Sequence, residues 1–306
     1  MHVKVLGSAA GGGFPQWNCA CRNCSRFRSG ELRSKARTQA QIAVSSSGSG
    51  WLLVNASPDL RTQVLSTEEL APARFPRSTG ISAVLLTNAE VDSVAGLLHL
   101  REFQQFRVFA TPSVKRILRE ENRIFHVLER ANPPVIWEEI PRESWFDTST
   151  STDRGLRCRA VNLGGKYPDY VSSALRQELA PEEAVIGLVF NEGDKRLMYA
   201  PSLPGHTDEW KEWARSSDLC LLDGTFWDDR ELIEQVAGSK TAREIGHIPL
   251  AGTGGLLEQF RDAGKARRVL IHLNNTNPVL DEDSAEYRQV RAAGWEIAYD
   301  GTDFDL

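Results

Sequence analysis

Three apolar runs in this chain each stop at a side chain able to bind a metal or move a proton, and each then enters a short polar turn. Val84 to Leu86 lead through Thr87 to Asp92, Leu219 to Leu222 lead to Asp223, and Val269 to Ile271 lead to His272. Runs of that length suit buried strands, and open α/β sheets gather ligands at the carboxyl ends of their strands. The recurrence predicts that Asp92, Asp223 and His272 converge on one metal. Two plainer readings compete with it. Asp92 stands where it could cap a helix over 94–100, and Asp223 precedes Gly224, as a turn-forming Asp does.

The remaining pattern is of the same kind. Strands are expected at 3–8, 37–44, 51–55, 107–110, 156–162, 185–190, 196–200 and 295–299, and helices at 60–65, 114–130, 256–260 and 284–292. Ser45 to Gly50 reads as the turn of a hairpin, and Pro112 as a residue at a helix start. Each half of the chain opens on antiparallel-looking strands and ends on strand–turn–helix units, so the 306 residues are expected to form one domain over 1–306 built from two similar αβ halves. The turn-rich Leu163-Gly-Gly-Lys-Tyr-Pro168 is placed to overhang a site.

Partners are narrowed by charge and hydropathy. With 36 basic against 41 acidic residues, mixed along the chain, there is no basic face for nucleic acid and no polybasic membrane segment. No apolar stretch approaches the roughly 18 residues that span a bilayer, and the chain opens on a strand-like Val3 to Leu6 instead of a leader, so a cytoplasmic location is expected. Three glycines at Gly11 to Gly13 permit close backbone approach, but no Lys-Ser/Thr follows them, which argues against nucleotide binding.

Cys19, Cys21 and Cys24 form a C-x-C-x-x-C cluster, whereas Cys158 and Cys220 are isolated and expected to be buried. Clustered thiolates at this spacing can wrap a tetrahedral Zn2+ and leave one position for a distant residue. The competing reading, three reduced thiols without a metal, carries an oxidation hazard.

Asn55-Ala-Ser-Pro-Asp-Leu-Arg61, Asp92, Gly96 to Glu102, Asp223-Gly-Thr-Phe-Trp227, Gly246-His-Ile-Pro249 and Ile271-His-Leu-Asn-Asn-Thr-Asn-Pro278 resemble the pyrroloquinoline quinone (PQQ) biosynthesis protein B family of the metallo-β-lactamase superfamily. The resemblance covers the whole chain and implies an αββα sandwich. It implies metal ligation by Asp92, Asp223 and His272, an acid/base or substrate-orienting role for His247, and Fe2+ with oxygen acting on the tyrosine ring of a Glu-Tyr-derived PQQ precursor. The alternative is a carrier of PQQ or its precursor with a degenerate metal site; a homodimer is open in either case. The chain departs from the family at Ser93, where that family carries His. His99 is too far along the helix to replace it, at about 1.5 Å per residue, and Asn275 is by type a poor zinc ligand.

Overall fold

The computed structural model describes all residues except 73–77, 103, 131–133, 149–154, 262–263 and 265. Its strands are β1 (His2–Gly7), β2 (Gln41–Ser45), β3 (Trp51–Val54), β4 (Ile81–Leu85), β5 (Arg107–Ala110), β6 (Ile136–Glu139), β7 (Trp145–Asp147), β8 (Arg157–Gly164), β9 (Val185–Glu192), β10 (Lys195–Ala200), β11 (Leu219–Asp223), β12 (Arg267–Ile271), β13 (Trp295–Ile297) and β14 (Asp303–Asp305). They form two seven-stranded sheets, ordered β14-β1-β2-β3-β4-β5-β6 and β13-β12-β11-β10-β9-β8-β7. In the first sheet β14 to β3 are antiparallel and β3 to β6 parallel. The second repeats this, antiparallel from β7 to β10 and parallel from β10 to β13.

The central strands are apolar without alternation because both of their faces are covered. Val54 and Leu85 of the first sheet share a core between the sheets with Leu188, Leu221 and Ile271 of the second. Their neighbours Leu53, Val84, Leu222 and Leu270 point outward, into cores shared with Val114, Ile117, Trp210 and Trp295. The layers are therefore helix, sheet, sheet, helix, as the αββα expectation requires, and Cys158 and Cys220 are buried.

The helix foreseen over 94–100 differs in detail. An α-turn covers Val91–Val94 and a 3₁₀ stretch Ala95–Leu100, because Gly96 lies directly on the chain at Ala56 and Ser57, donating its N–H to the Ala56 carbonyl at 2.8 Å. A side chain at Gly96 would meet the Ser57 carbonyl. The N-cap is Glu90, whose side chain does not cap, so Asp92 is not a capping residue.

Candidate metal centre and cavity

Of the three foreseen side chains, Asp92 meets His272, and Asp223 groups with His272 and His247; Asp92 is not among the donors that lie within 4.8 Å of one another. His272 follows the last residue of β12 with φ +62°, a left-handed conformation that non-glycine residues adopt at a cost of about 1–3 kcal/mol. That backbone turns its ring back over the sheet edge, and its Nε2 lies 3.3 Å from Asp92 Oδ2. Gly11, in the glycine run after β1, packs against Asp92 from the other side, where an added Cβ would come 3.5 Å from Oδ2. Asn55, also at positive φ (+65°), accepts hydrogen bonds from Thr87 N–H and Oγ1 at 2.9 and 3.0 Å and so fixes the turn that carries Asp92.

Asp223 is fully buried, and its acceptor positions are occupied. Oδ1 accepts from the Thr225 N–H at 3.0 Å and the Thr225 hydroxyl at 2.6 Å; Oδ2 accepts from Leu203 N–H at 2.8 Å and is 2.7 Å from His247 Nδ1. Thr225 Oγ1 also lies 3.1 Å from His247 Nδ1 and 2.8 Å from His272 Nδ1. Both imidazoles thus present Nδ1 to the same hydroxyl. Their rings are 24° from parallel with centroids 5.5 Å apart, and His272 Nε2 is the atom that meets Asp92.

Charge follows this geometry. Burial works against ionising Asp92, but the hydrogen bond and charge of His272 prevail and hold its carboxyl below the ordinary range. Burial likewise opposes ionising Asp223 and is outweighed by His247. Burial lowers the His247 pKa, but the Asp223 carboxylate more than compensates, so the imidazole is raised above its usual value. Ligand atoms of Asp223, His247 and His272 lie within 4.8 Å of one another.

Asp92, Thr225, His247 and His272 line one side of a cavity of about 1240 Å³, with Asp223 behind them. The loop from Gly165 to Tyr170 overhangs it, as foreseen, and the Tyr170 hydroxyl donates to the Ala89 carbonyl beside Asp92. Ser93 is buried at the cavity edge. His99 is exposed and does not line it.

The cysteine cluster is a separate centre. The Sγ atoms of Cys19, Cys21 and Cys24 lie within 4.8 Å of one another. The Asn275 side-chain nitrogen is 3.1, 3.4 and 3.5 Å from them in turn. Amide nitrogen and oxygen are interchangeable in placement, and tetrahedral zinc at about 2.3 Å from sulfur and 2.0 Å from oxygen separates those donors by about 3.5 Å. Burial pushes the Cys21 thiol up to about 12, while at Cys19 burial is outweighed by the Cys21 N–H and neighbouring groups and the thiol is lowered. Three sulfurs in one place cannot all ionise without a cation between them, so the donor set fits zinc.

Sequence reasoning missed Thr225, which stands openly in the Asp-Gly-Thr motif; Asn275, read there as a poor zinc ligand, lies with its carboxamide against the three thiols.

A β-lactamase superfamily domain model matches residues 50–273. Coenzyme PQQ synthesis protein B of Methylorubrum populi is 43% identical over the full length of both chains. The chain belongs to the coenzyme PQQ synthesis protein B family. The member from Azotobacter vinelandii is also 43% identical over the full length of both. A Zn2+-bound crystal structure of PqqB from Methylobacterium extorquens is 42% identical, covers the whole of both chains and superposes with a TM-score of 0.91. Like that family member, the present chain has the metallo-β-lactamase fold. No helix of the described residues is long and apolar enough to cross a membrane.

Proposed function

We propose that this chain acts in PQQ biosynthesis, hydroxylating the tyrosine ring of a Glu-Tyr-derived intermediate with Fe2+ and oxygen. The observation that carries the reading is the convergence of His272 Nε2, Asp92 Oδ2 and the His247 ring on one cavity wall, a two-histidine, one-carboxylate donor set with the cavity open in front of it. Ferrous ion bound there would supply oxygen activation, and the protein supplies position and exclusion of water.

Asp223, expected as a ligand, has its oxygens committed to Thr225, Leu203 and His247, and in this reading it orients His247 from behind, as carboxylates behind metal-bound imidazoles do. His247, expected as an acid/base group, takes the ligand place that Ser93 leaves vacant. Zinc on Cys19, Cys21, Cys24 and the Asn275 carboxamide oxygen is structural: it ties the segment after β1 to the segment after β12.

The test is the metal content of anaerobically iron- and zinc-loaded protein, with turnover of the cross-linked Glu-Tyr substrate in air. Two metals per chain are expected. His272→Ala and His247→Ala should each lose the iron only, Cys21→Ser the zinc, and Asp223→Asn should keep iron with about 10–100-fold weaker affinity. Iron retained in His247→Ala but lost in Asp223→Asn would return the ligand role to Asp223. A chain that holds only zinc and does not turn over would sink the hydroxylase. The second reading, a carrier, is favoured by Ser93; it requires tight PQQ binding by iron-free protein with no turnover.

A further inference from the structure

The cavity in front of the donor set carries charges that the metal does not use. Lys166 and Lys240 line it and are exposed, and among the described residues neither ammonium has a carboxylate within ion-pair distance. The arginines on the same wall are differently placed. Arg176 donates to the Pro168 and Val171 carbonyls and Arg243 to that of Thr253, so both are spent on holding loops. Glu244, whose charge Lys240 and Lys166 both feel, is itself committed to the helix cap, accepting from the Thr241 N–H at 2.9 Å.

Both lysines stand on fixed backbone. Gly165 has φ +96° and lies against Val185 and Pro204, where an added Cβ would come 2.7 and 3.0 Å from their side chains. On the other side of Lys166, buried Tyr167 donates its hydroxyl to the Ala180 carbonyl. Lys240 directly precedes the capping box Thr241/Glu244. Each ammonium is thus free at the end of an anchored stem.

The other pole lies beside the metal donors. Glu90 occupies the N-cap position without capping, lines the cavity, and has no cation paired with it among the described residues; burial first, and then the neighbouring carboxylates, push its pKa up to about 7. Asp169 likewise lines the cavity unpaired, and after burial it is one of the two carboxylates, with Asp92, that raise Glu90. The Tyr170 latch on Ala89 brings Asp169 to this side. Exposed Val91, Tyr170 and Ile245 supply apolar surface at the same cavity.

We propose that these two faces form a bipolar subsite, in which Glu90 and Asp169 take an α-ammonium of the substrate while Lys166 and Lys240 take its carboxylates. Resting on the PQQ-precursor reading, this makes the cavity selective for an amino acid that still carries its primary amine, over a polycarboxylate that has lost it. Charge-assisted hydrogen bonds supply the discrimination, because an acylated amine leaves the two carboxylates unpaired.

Calorimetric titration of the metal-loaded protein under anaerobic conditions tests this with three probes: the cross-linked Glu-Tyr diamino acid, its doubly N-acetylated derivative, and PQQ. Wild-type protein should bind the free amine at least tenfold more tightly than the acetylated form. Glu90→Gln/Asp169→Asn should abolish that ratio, weakening the free amine while the acetylated form binds as well as before or better and the metal content stays the same, and Lys166→Met/Lys240→Met should weaken both precursor forms tenfold or more. Equal binding of the two precursor forms by wild type, or equal weakening of both by the acidic-pole variant, overturns the subsite and leaves the hydroxylase reading standing. Binding of PQQ with no binding of either precursor form overturns both.

Discussion

Glu231 offers a measurement of how the turn after β11 is joined to the segment after β12. It is 4% exposed; its Oε2 accepts from the Trp227 N–H and its Oε1 from the Thr276 hydroxyl, each at 2.5 Å, so one carboxyl ties the turn after β11 to the residue next to Asn275. Burial pushes its pKa up to about 8 from the usual 4.5, overcoming both hydrogen bonds, with Asp228 adding to the rise. A carboxyl raised in the folded state contributes stability that is complete below the unfolded pKa and is lost as pH climbs through the folded one. The loss therefore runs from about pH 4.5 to about pH 8, with a slope near 1.4 kcal/mol per pH unit and a full extent of about 5 kcal/mol. Glu231→Gln has the shape of the neutral acid, keeps an acceptor for the Trp227 N–H, and does not titrate. Denaturant unfolding of both proteins at matched zinc from pH 5 to 8 should show the variant gaining on wild type steadily, by about 3 kcal/mol between pH 5 and pH 7.5. A difference that stays flat across this range, or moves in favour of wild type, would refute a neutral buried carboxyl.

Two further outcomes follow from the site and its support. Ser93→His restores an imidazole at the cavity edge and should tighten Fe2+ binding at least tenfold in chelator competition; unchanged affinity would show that this position does not face the ion. Gly96→Ala places a methyl against the Ser57 and Ala56 carbonyls and should cost about 1–3 kcal/mol by overpacking, lowering the melting temperature by several degrees, whereas an unchanged melting temperature would mean that the 55–57 turn yields freely.

Much of the architecture is legible in residue pattern because the central strands are covered on both faces and therefore read as unbroken apolar runs. The strand ends at Asp223 and His272 were visible for the same reason, since the runs stop abruptly at a polar side chain. What pattern does not carry is direction. Asp223 turns inward to Thr225 and Leu203 while His247 turns outward, and only the shared hydroxyl of Thr225, contacting both imidazoles across 22 and 47 residues of sequence, decides which nitrogen faces the cavity. The 3₁₀ stretch after Val94 was hidden similarly: local spacing favours a helix, and a contact with Ala56 some 40 residues earlier tightens it. Asn275 was read as a poor zinc ligand by type, and pattern does not show its carboxamide lying against the three thiols.

His272 also depends on the opposite end of the chain. Ala9 bridges both Gln39 of the first half and Leu273 of the second, and the Ala10 N–H donates to the Leu273 carbonyl at 2.8 Å while the Leu273 N–H donates to that of Ser8 at 3.0 Å. During synthesis the first half can pair β1 with β2 early, yet the edge of residues 8–10 waits for a partner made more than 260 residues later. His272 and Asn275 both belong to that late segment, so the donor set around Asp92 and His247 and the contact of Asn275 with the three thiols are each one side chain short until it arrives.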